Sequence, residues 1–562
     1  MEQTQWYKDG VFYQIWPRSF KDGNHDGMGD LYGVIEKLDY LKSLGVDGIW
    51  FSPLYPSPGV DCGYDIADYM DIAQEFGGME AFRKLLDEAH RRGMRVIMDL
   101  VVNHTSDEHE WFQKSQQRID PYTDYYIWRK AKPNGKVPNN WDSMFEGGSA
   151  WHYDEVRKEY YLHLFAIKQP DLNMDNPLVR EEVKKILRFW LDLGVDGFRE
   201  DVITFISKKE GLPNDIPVPG FTGILKYNHG PHIHEYLQEF RKEVLDHYDC
   251  LTIAEAPLVS PKRAMQYISE LDPAHHDIDM MIQFQCMCAD CLFSDYAPMK
   301  FSLRRLKRAF RNWQEKLYGK AWNMLYIENH DHPRVISRYG SEHFRTESGK
   351  ALAAAYLFQQ GTPFIYQGQE IGMLNWKPEK ISMYEDVQTL NKSLGASDEK
   401  RLRLYHRASR DSARTPVQWT GEKYAGFSDH EPWFYVNENY PEINAEKEDR
   451  DPGSLLNFYR KAIALRKSLP IVRHGKYKEY RKGSDKLYLY ERSLEDGKYG
   501  KLYVICSFSA EPMKVKLPSA WDVASAKPVL TSLPEEECSR LNGQVFTLQP
   551  YETRVYYRTE DQ

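Results

Sequence analysis

A chain of 562 residues with 41% hydrophobic and 28% charged side chains has the composition of an ordinary water-soluble globular protein. Its formal net charge of −9 is spread along the sequence and argues against nucleic acid or an anionic membrane as partner, and no run of about 18 apolar residues is present to span one. The start, Met1 to Asp9, lacks a basic n-region and an apolar h-region, so no signal peptide is expected, and seven Cys, an odd count, suit reduced thiols in a cytoplasm.

In chain order, Val11 to Trp16 reads as a first strand. The next stretch runs Asp22-Gly23-Asn24-His25-Asp26-Gly27-Met28-Gly29-Asp30. Oxygen side chains stand there at alternate positions, with glycines that permit a tight turn, and hard cations take such ligands. Asp22, Asn24, Asp26, Met28 and Asp30 are therefore candidate ligands for a structural Ca2+ (or Mg2+). An EF-hand is excluded, because Gly33 stands where a bidentate Glu is needed and no helix leads in.

Ile35, Leu38, Leu41 and Leu44 make a helical stripe, Gly45 stops it, and Ile49-Trp50-Phe51 follows as a strand. Ser52 to Tyr69 is a Pro- and Gly-rich loop that holds Asp61, Tyr64, Asp65 and Asp68. The unit recurs with Phe82, Leu85, Leu86 and Ala89, Gly93 as stop, and a strand from Arg95 to Val102 that runs into Asn103-His104. From Thr105 to Asp171 this rhythm stops, and the length of the interruption suggests a small inserted domain. Val183, Ile186, Leu187, Trp190 and Leu191 then restore the helix, Gly194 ends it, and Val195 to Val202 reads as a strand. Arg199 and Asp201, two apart, point to one side of the sheet. Leu251 to Glu255, Met324 to Asp331 and Pro363 to Gly368 are further strands, and a helix is expected over Leu455 to Ser468. From Lys476 onward, short strands at 487–492, 501–506, 513–517 and 553–557 form a separate β-sandwich. Cys286, Cys288 and Cys291 are clustered, but no second cluster completes four soft ligands, so apolar packing is expected rather than zinc.

Repeated helix-Gly-strand units mean a parallel sheet covered by helices, here an α/β fold of the (β/α)8 barrel type. The expected layout is a barrel from 1 to 104 and from 172 to 475, an insertion at 105–171, and the sandwich at 476–562. In such barrels the C-terminal ends of the strands reach the ligand. Asp201, Glu255 and Asp331 all fall there. Buried like charges are costly unless pairing or function holds them, so three carboxylates with two His and an Arg are hard to explain as packing. Two carboxylates flanking a bond are what glycoside hydrolysis needs. An aromatic content of 14% offers faces for sugar rings, although core packing accounts for most of it.

Five motifs carry a resemblance that covers essentially the whole chain. They are Asp99-Leu100-Val101-Val102-Asn103-His104, Gly197-Phe198-Arg199-Glu200-Asp201-Val202, the Glu255 strand, Asn329-His330-Asp331 and Gln169-Pro170-Asp171-Leu172-Asn173. Together they resemble the α-amylase superfamily of glycoside hydrolases, in its oligo-1,6-glucosidase and α-glucosidase branch. The resemblance implies a (β/α)8 TIM barrel with an inserted domain after the third strand. It implies Asp201 as nucleophile held ionised by Arg199, Glu255 as acid/base with a raised pKa, and Asp331 as stabiliser of the distorted sugar. It implies that His104 and His330 bond the same ring, and that Asp61, Tyr64 and Arg410 close the pocket around a terminal glucose. Such an enzyme is retaining and exo-acting on short oligosaccharides, with its working carboxyls about 5 Å apart. Val202 after the nucleophile and Pro257 after the acid/base resemble the α-1,6-specific type, and the Asp22 to Asp30 loop resembles a metal loop far from the chemistry. A cytoplasmic monomer is the expected form.

Four positions depart from the pattern. Cys62 stands beside Asp61, and Ala254 and Ala256 flank Glu255. Glu200 alternates away from Arg199 and Asp201, toward the layer between barrel and helices, where a basic partner is expected for it. Sucrose or α-1,4-glucoside hydrolysis, trehalose 6-phosphate hydrolysis and glucosyl transfer are the alternatives on the same site. Sucrose isomerases carry an Arg-Leu-Asp-Arg-Asp loop, whereas Ser302 to Arg308 here lacks it. A non-catalytic transporter subunit of this fold would need a membrane helix and broken carboxylates.

Overall fold

Gly45 and Gly194 hold φ of 97° and 111°, the left-handed conformation that ends the helices Leu31–Leu44 and Pro177–Leu193. Each hands the chain to a wholly buried strand, and that repeated unit builds the molecule. The structure, a computed structural model, describes residues 5–218, 220–393, 395–494, 500–522, 525–534 and 545–559. The first four residues of the polar N-terminal stretch, and Cys538, lie outside the described residues.

The strands before the C-terminal region are β1 (Phe12–Ile15), β2 (Gly48–Phe51), β3 (Arg95–Leu100), β4 (Trp128–Arg129), β5 (Trp151–Asp154), β6 (Glu159–Leu162), β7 (Gly197–Glu200), β8 (Leu251–Glu255), β9 (Met280–Ile282), β10 (Met324–Leu325) and β11 (Thr362–Tyr366). Eight of them form one parallel sheet in the order β10-β11-β1-β2-β3-β7-β8-β9. Its edges β9 and β10 lie side by side, so the sheet is a nearly closed barrel. Nearly every strand residue is buried, as expected where helices cover the outer face and side chains fill the inner one.

Three differences from the sequence reading affect the site. The sixth barrel strand, β9, has only three residues and was not anticipated. β7 stops at Glu200, so Asp201 and Val202 belong to the turn after it. β10 stops at Leu325, which leaves Asp331 on a loop beyond the strand. The functional ends are thus irregular backbone that the strands aim.

β4, β5 and β6 form a small antiparallel sheet in the order β4-β6-β5. Bridges from His104 to Asp171 and from Tyr126 to Leu172 tie its two ends to the barrel rim. Its apolar side chains, among them Trp141, Phe145, Trp151 and Phe165, share a cluster with Val202 and Phe205 of the barrel.

The C-terminal strands are β12 (Lys476–Tyr480), β13 (Leu487–Ser493), β14 (Lys501–Ser507), β15 (Met513–Lys516), β16 (Lys527–Thr531), β17 (Val545–Leu548) and β18 (Thr553–Arg558). A five-stranded antiparallel sheet, β12-β13-β14-β18-β16, faces the pair β15-β17. Along β13 the side chains alternate: Leu487 and Leu489 enter the space between the two sheets, whereas Tyr488 and Tyr490 enter the barrel's own core. The sandwich is therefore not separate, as the sequence suggested, because one of its faces completes the barrel's helical layer.

The Asp22 to Asp30 loop folds on itself. Asp22 accepts from the His25 and Gly27 N–H at 2.7 and 2.9 Å and from Ser428 Oγ at 2.6 Å. Asp30 accepts from the N–H of Gly23, Asn24 and Gly33 at 3.0, 2.9 and 2.8 Å. Asp26 accepts from Asn24 Nδ2 and from the Met28 N–H.

Candidate active site

β3, β7 and β8 are neighbours in register, with Asp99 opposite Arg199 and Glu200 opposite Ala254. That pairing places Asp99, Arg199, Asp201 and Glu255 on one patch of the barrel's inner rim. Arg199 joins them: Nη1 donates to Asp99 at 2.6 Å and to Asp201 at 2.7 Å, and Nη2 donates to Glu255 at 2.6 Å. The Arg199 guanidinium also faces the rings of Trp50 and Tyr64 at 5.3 and 5.8 Å. The Asp201 and Glu255 carboxyls are thus held side by side on the two terminal nitrogens of one guanidinium.

One guanidinium serves three buried carboxylates, and this imbalance sets their protonation. Burial pushes the Asp201 carboxyl well above its usual range; Arg199 opposes this, and the charges of Glu255 and Asp99 add to it. Burial likewise raises Asp99, to about 6, against Arg199. The Val202 N–H donates to Glu255 at 3.1 Å. Val202 itself has φ 34° and ψ 36°, a left-handed conformation that is a true outlier for a β-branched residue.

The second half of the site comes from the β10 loop and the insertion. His330 lies parallel to the Tyr64 ring and bonds its hydroxyl at 2.7 Å, with Gln14 Nε2 at 2.6 Å on its other nitrogen. Tyr64 donates on to Asp99 at 3.0 Å. Burial holds His330 and His104 down, to about 3 and about 4, so both rings are neutral. His104 stands 3.2 Å from Gln169 Nε2, which also donates to Asp61 at 3.3 Å. Asp331 is the exposed member of the set, with 24% of its side chain open. Burial tends to raise it, but the Arg410 and Arg414 guanidiniums oppose that, and the carboxyl is held low.

Arg410 closes the opposite wall. It contacts Asp331 at 3.2 Å and Asp61 at 3.3 Å, and Asp386 grips it through Nε at 2.8 Å and Nη2 at 2.5 Å. Burial pushes Asp61 up to about 6, against the pull of Arg410 and Arg414. Phe145 lies under the Arg410 guanidinium at 5.0 Å, and Phe165 packs on His104 at 5.0 Å.

The structure brings together Asp201, Glu255, Asp331, Asp61, Tyr64, His104, Arg199, His330, Arg410 and Val202. The Asp22 to Asp30 loop lies apart from them, against Phe427 and Ser428. Sequence reasoning missed Asp386, Arg414, Phe145 and Phe165, and gave Asp99 no role. Arg414 lies four residues after the predicted Arg410, and Asp99 in a quoted motif. Asp386 carries no signal in a single sequence.

Glu200 corrects an expectation. It does face the helix layer, but among the described residues no base pairs with it. Its neighbours are Asp277, Asp279 and Arg241, and Arg241 is engaged by Asp279 at 3.1 Å. Burial, with Asp279 adding, pushes the Glu200 carboxyl up to about 8, and its Oε2 has no hydrogen-bond partner.

Comparison with known proteins agrees with this geometry. The model of the α-amylase catalytic domain matches residues 14–475. The oligo-1,6-glucosidase of Parageobacillus thermoglucosidasius is 46% identical over 565 residues, which cover 98% of each chain. The trehalose-6-phosphate hydrolase of Bacillus subtilis is 43% identical over 100% of this chain and 99% of that protein. The crystal structure of the trehalose-6-phosphate hydrolase of Bacillus licheniformis superposes with a TM-score of 0.91 at 42% identity, covering 99% of this chain and 100% of that one.

Proposed function

The chain belongs to the α-amylase family of glycoside hydrolases, and we propose that within it the protein is a retaining, exo-acting α-glucosidase that releases terminal α-1,6-linked glucose from isomaltose and short isomalto-oligosaccharides. The observation that carries the mechanism is that Asp201 and Glu255 bind the two terminal nitrogens of one guanidinium. Two carboxyls held side by side in this way suit double displacement. Asp201 attacks the anomeric carbon while Glu255 delivers a proton to the leaving oxygen. Glu255, then ionised, takes a proton from water as that water displaces Asp201. Asp331, held ionised beside Arg410, accepts sugar hydroxyls and stabilises the positive charge on the ring. Neutral His104 and His330 line the same sugar site, His330 fixed by Tyr64 and Gln14 and His104 by Gln169. The Asp61–Arg410 pair makes a dead end behind that ring, which supports exo-action.

The linkage preference rests on Val202. Its side chain belongs to the apolar cluster of Phe145, Phe165 and Phe205, so a methyl rather than a hydroxyl borders the leaving group. The test is glucose release from isomaltose, maltose, sucrose and trehalose 6-phosphate, with Asp201→Asn alongside. Isomaltose leading, and a loss of about 10^4-fold or more in the mutant, is the expected result. Trehalose 6-phosphate leading would move the protein to its other group of relatives. Activity surviving in Asp201→Asn would overturn the nucleophile.

Three further elements belong to the proposal. Asp22 and Asp30 are fully buried carboxylates near each other, and among the described residues neither forms an ion pair. A Ca2+ or Mg2+ held by Asp22, Asn24, Asp26, the Met28 carbonyl and Asp30 would supply the missing positive charge. Among the described residues all six cysteines are unpaired, which supports a cytoplasmic setting. A monomer is the proposed form; no described helix is long and apolar enough to cross a membrane.

A further inference from the structure

Seven residues after Asp201, the segment that leaves β7 carries Lys208, a lysine with only 4% of its side chain open. A buried ammonium is costly unless an opposite charge and hydrogen bonds meet it. Here both do. Its Nζ lies 2.8 Å from Asp171 Oδ1 and donates to Asn103 Oδ1 at 2.8 Å. Asp171 is fully buried, and among the described residues Lys208 is its one basic partner. The other Asp171 oxygen accepts from the Leu164 N–H at 2.8 Å.

Lys208 thereby meets both ends of the insertion. Asn103-His104 leads into it, and Gln169-Pro170-Asp171 leads out. A lysine can only donate and a carboxylate can only accept, so the Asn103 amide has one orientation, with Oδ1 toward Lys208 and Nδ2 donating to Asp171 at 3.0 Å. That same Nδ2 stands 3.3 Å from His104 Nδ1. The backbone repeats the join: the Leu172 N–H donates to the Asn103 carbonyl at 2.9 Å, and the Thr105 N–H to the Pro170 carbonyl at 3.2 Å. Next to this knot are His104 and Gln169, 3.2 Å apart, and Gln169 donates on to Asp61.

We infer that Lys208 is a positioning residue for the reaction: it ties the segment behind the nucleophile to both ends of the insertion, and so sets His104, Gln169 and Asp61 against the sugar that Asp201 attacks. The inference rests on the reading of this pocket as a site for a terminal glucose. The segment from Val202 to Lys208 is short and is anchored along its length. The Val202 N–H donates to Glu255 at 3.1 Å, and Phe205 packs in one cluster with Phe145 and Phe165. Without the ammonium, Asp171 loses its counter-charge, the Asn103 amide is free to turn, and the edge of the insertion shifts relative to Asp201. The loss falls on the grip on the sugar rather than on bond cleavage, because Arg199 still holds Asp201 and Glu255.

The test compares Lys208→Met and Lys208→Arg with the unmodified full-length protein. Calorimetry measures the affinity for glucose, and kcat and KM are measured separately on the disaccharide that the unmodified protein cleaves fastest, with melting temperatures alongside. In Lys208→Met the expected result is a glucose Kd and a KM each raised about 10-fold, with kcat within about threefold. Lys208→Arg, which keeps the charge, should recover most of that loss. Lys208→Met combined with Asp171→Asn removes both buried charges and serves where the single variant does not fold; it too should bind glucose about 10-fold more weakly. Unchanged glucose affinity and KM in the variants that fold, with only the melting temperature lowered, would make Lys208 a structural ion pair and overturn the inference. So would a Lys208→Arg no better than Lys208→Met, or a loss confined to kcat. An unmodified protein that does not bind glucose would overturn the glucose reading and the inference with it, and that control tells the two failures apart.

Discussion

Glu200→Gln should stabilise this protein at neutral pH and leave its chemistry alone. Glu200 is 4% exposed, lies among Asp277, Asp279 and Arg241, and has its pKa raised from 4.5 to about 8. In the folded chain it is therefore protonated at pH 7, whereas in the unfolded chain it is ionised. Below about pH 4.5 both states hold the proton, and the group costs nothing through ionisation. Between 4.5 and 8 the folded state binds the extra proton, so stability falls as pH rises, by about 1.4 kcal/mol per unit. At pH 7 that is two and a half units, about 3 kcal/mol, and above pH 8 the loss is constant. Glutamine keeps the volume and removes the titration. Urea or thermal unfolding of both proteins from pH 4.5 to 8.5 checks this. The two should coincide near pH 4.5 and separate steadily above it, with the mutant more stable and its kcat/KM within about twofold, as expected of a residue outside the pocket. A mutant less stable at pH 7.5, or a gap that does not change with pH, would refute the reasoning.

Val202→Thr should lower the isomaltose-to-maltose ratio of kcat/KM by about 10-fold, since a hydroxyl replaces a methyl beside the leaving group; an unchanged ratio removes the linkage argument. Asp386→Asn loosens the grip on Arg410 and should cost about 2–3 kcal/mol in kcat/KM, mostly as a raised KM. A fall confined to kcat would place Asp386 in the chemistry instead. Chelation should lower the melting temperature, by an amount equivalent to about 3 kcal/mol if calcium was 100-fold above its Kd, and calcium should restore it. An unmoved melt excludes the Asp22 to Asp30 loop as a structural metal site.

The legible parts of this fold are those where a periodic apolar pattern meets a stop signal. The helix stripe before Gly194 and the strand after it could be read because the helical period and the left-handed glycine belong to the local chain. β9 could not be read so. Met280 to Ile282 is three residues long, no helix-Gly unit precedes it, and it exists because β8 offers it a ladder. Arg199 and Asp201 were paired correctly from alternation alone. Alternation also placed Glu200 correctly, but its neighbours come from the segment just before β9 and from the helix Ile233–Glu243, and their charges depend on the assembled layer. Asp386 belongs to an irregular segment, and only the folded chain shows that it anchors Arg410.

The placement of β18 bears on how the molecule is made. That strand sits in the middle of its sheet, between β14 and β16. The helix Arg345–Leu357 packs its outer face against β14 and β18, and Tyr490 donates to the Ala354 carbonyl of that helix at 2.8 Å. About 200 residues separate the end of the helix from the end of β18. At about 5–20 residues per second, a ribosome needs roughly 10–40 s to cross that distance. The last barrel strand, β11, is made early in that interval, but an apolar flank stays bare until β18 emerges. The nascent chain is most open to aggregation or chaperone capture late in its synthesis, on the face that β14 and β18 come to cover.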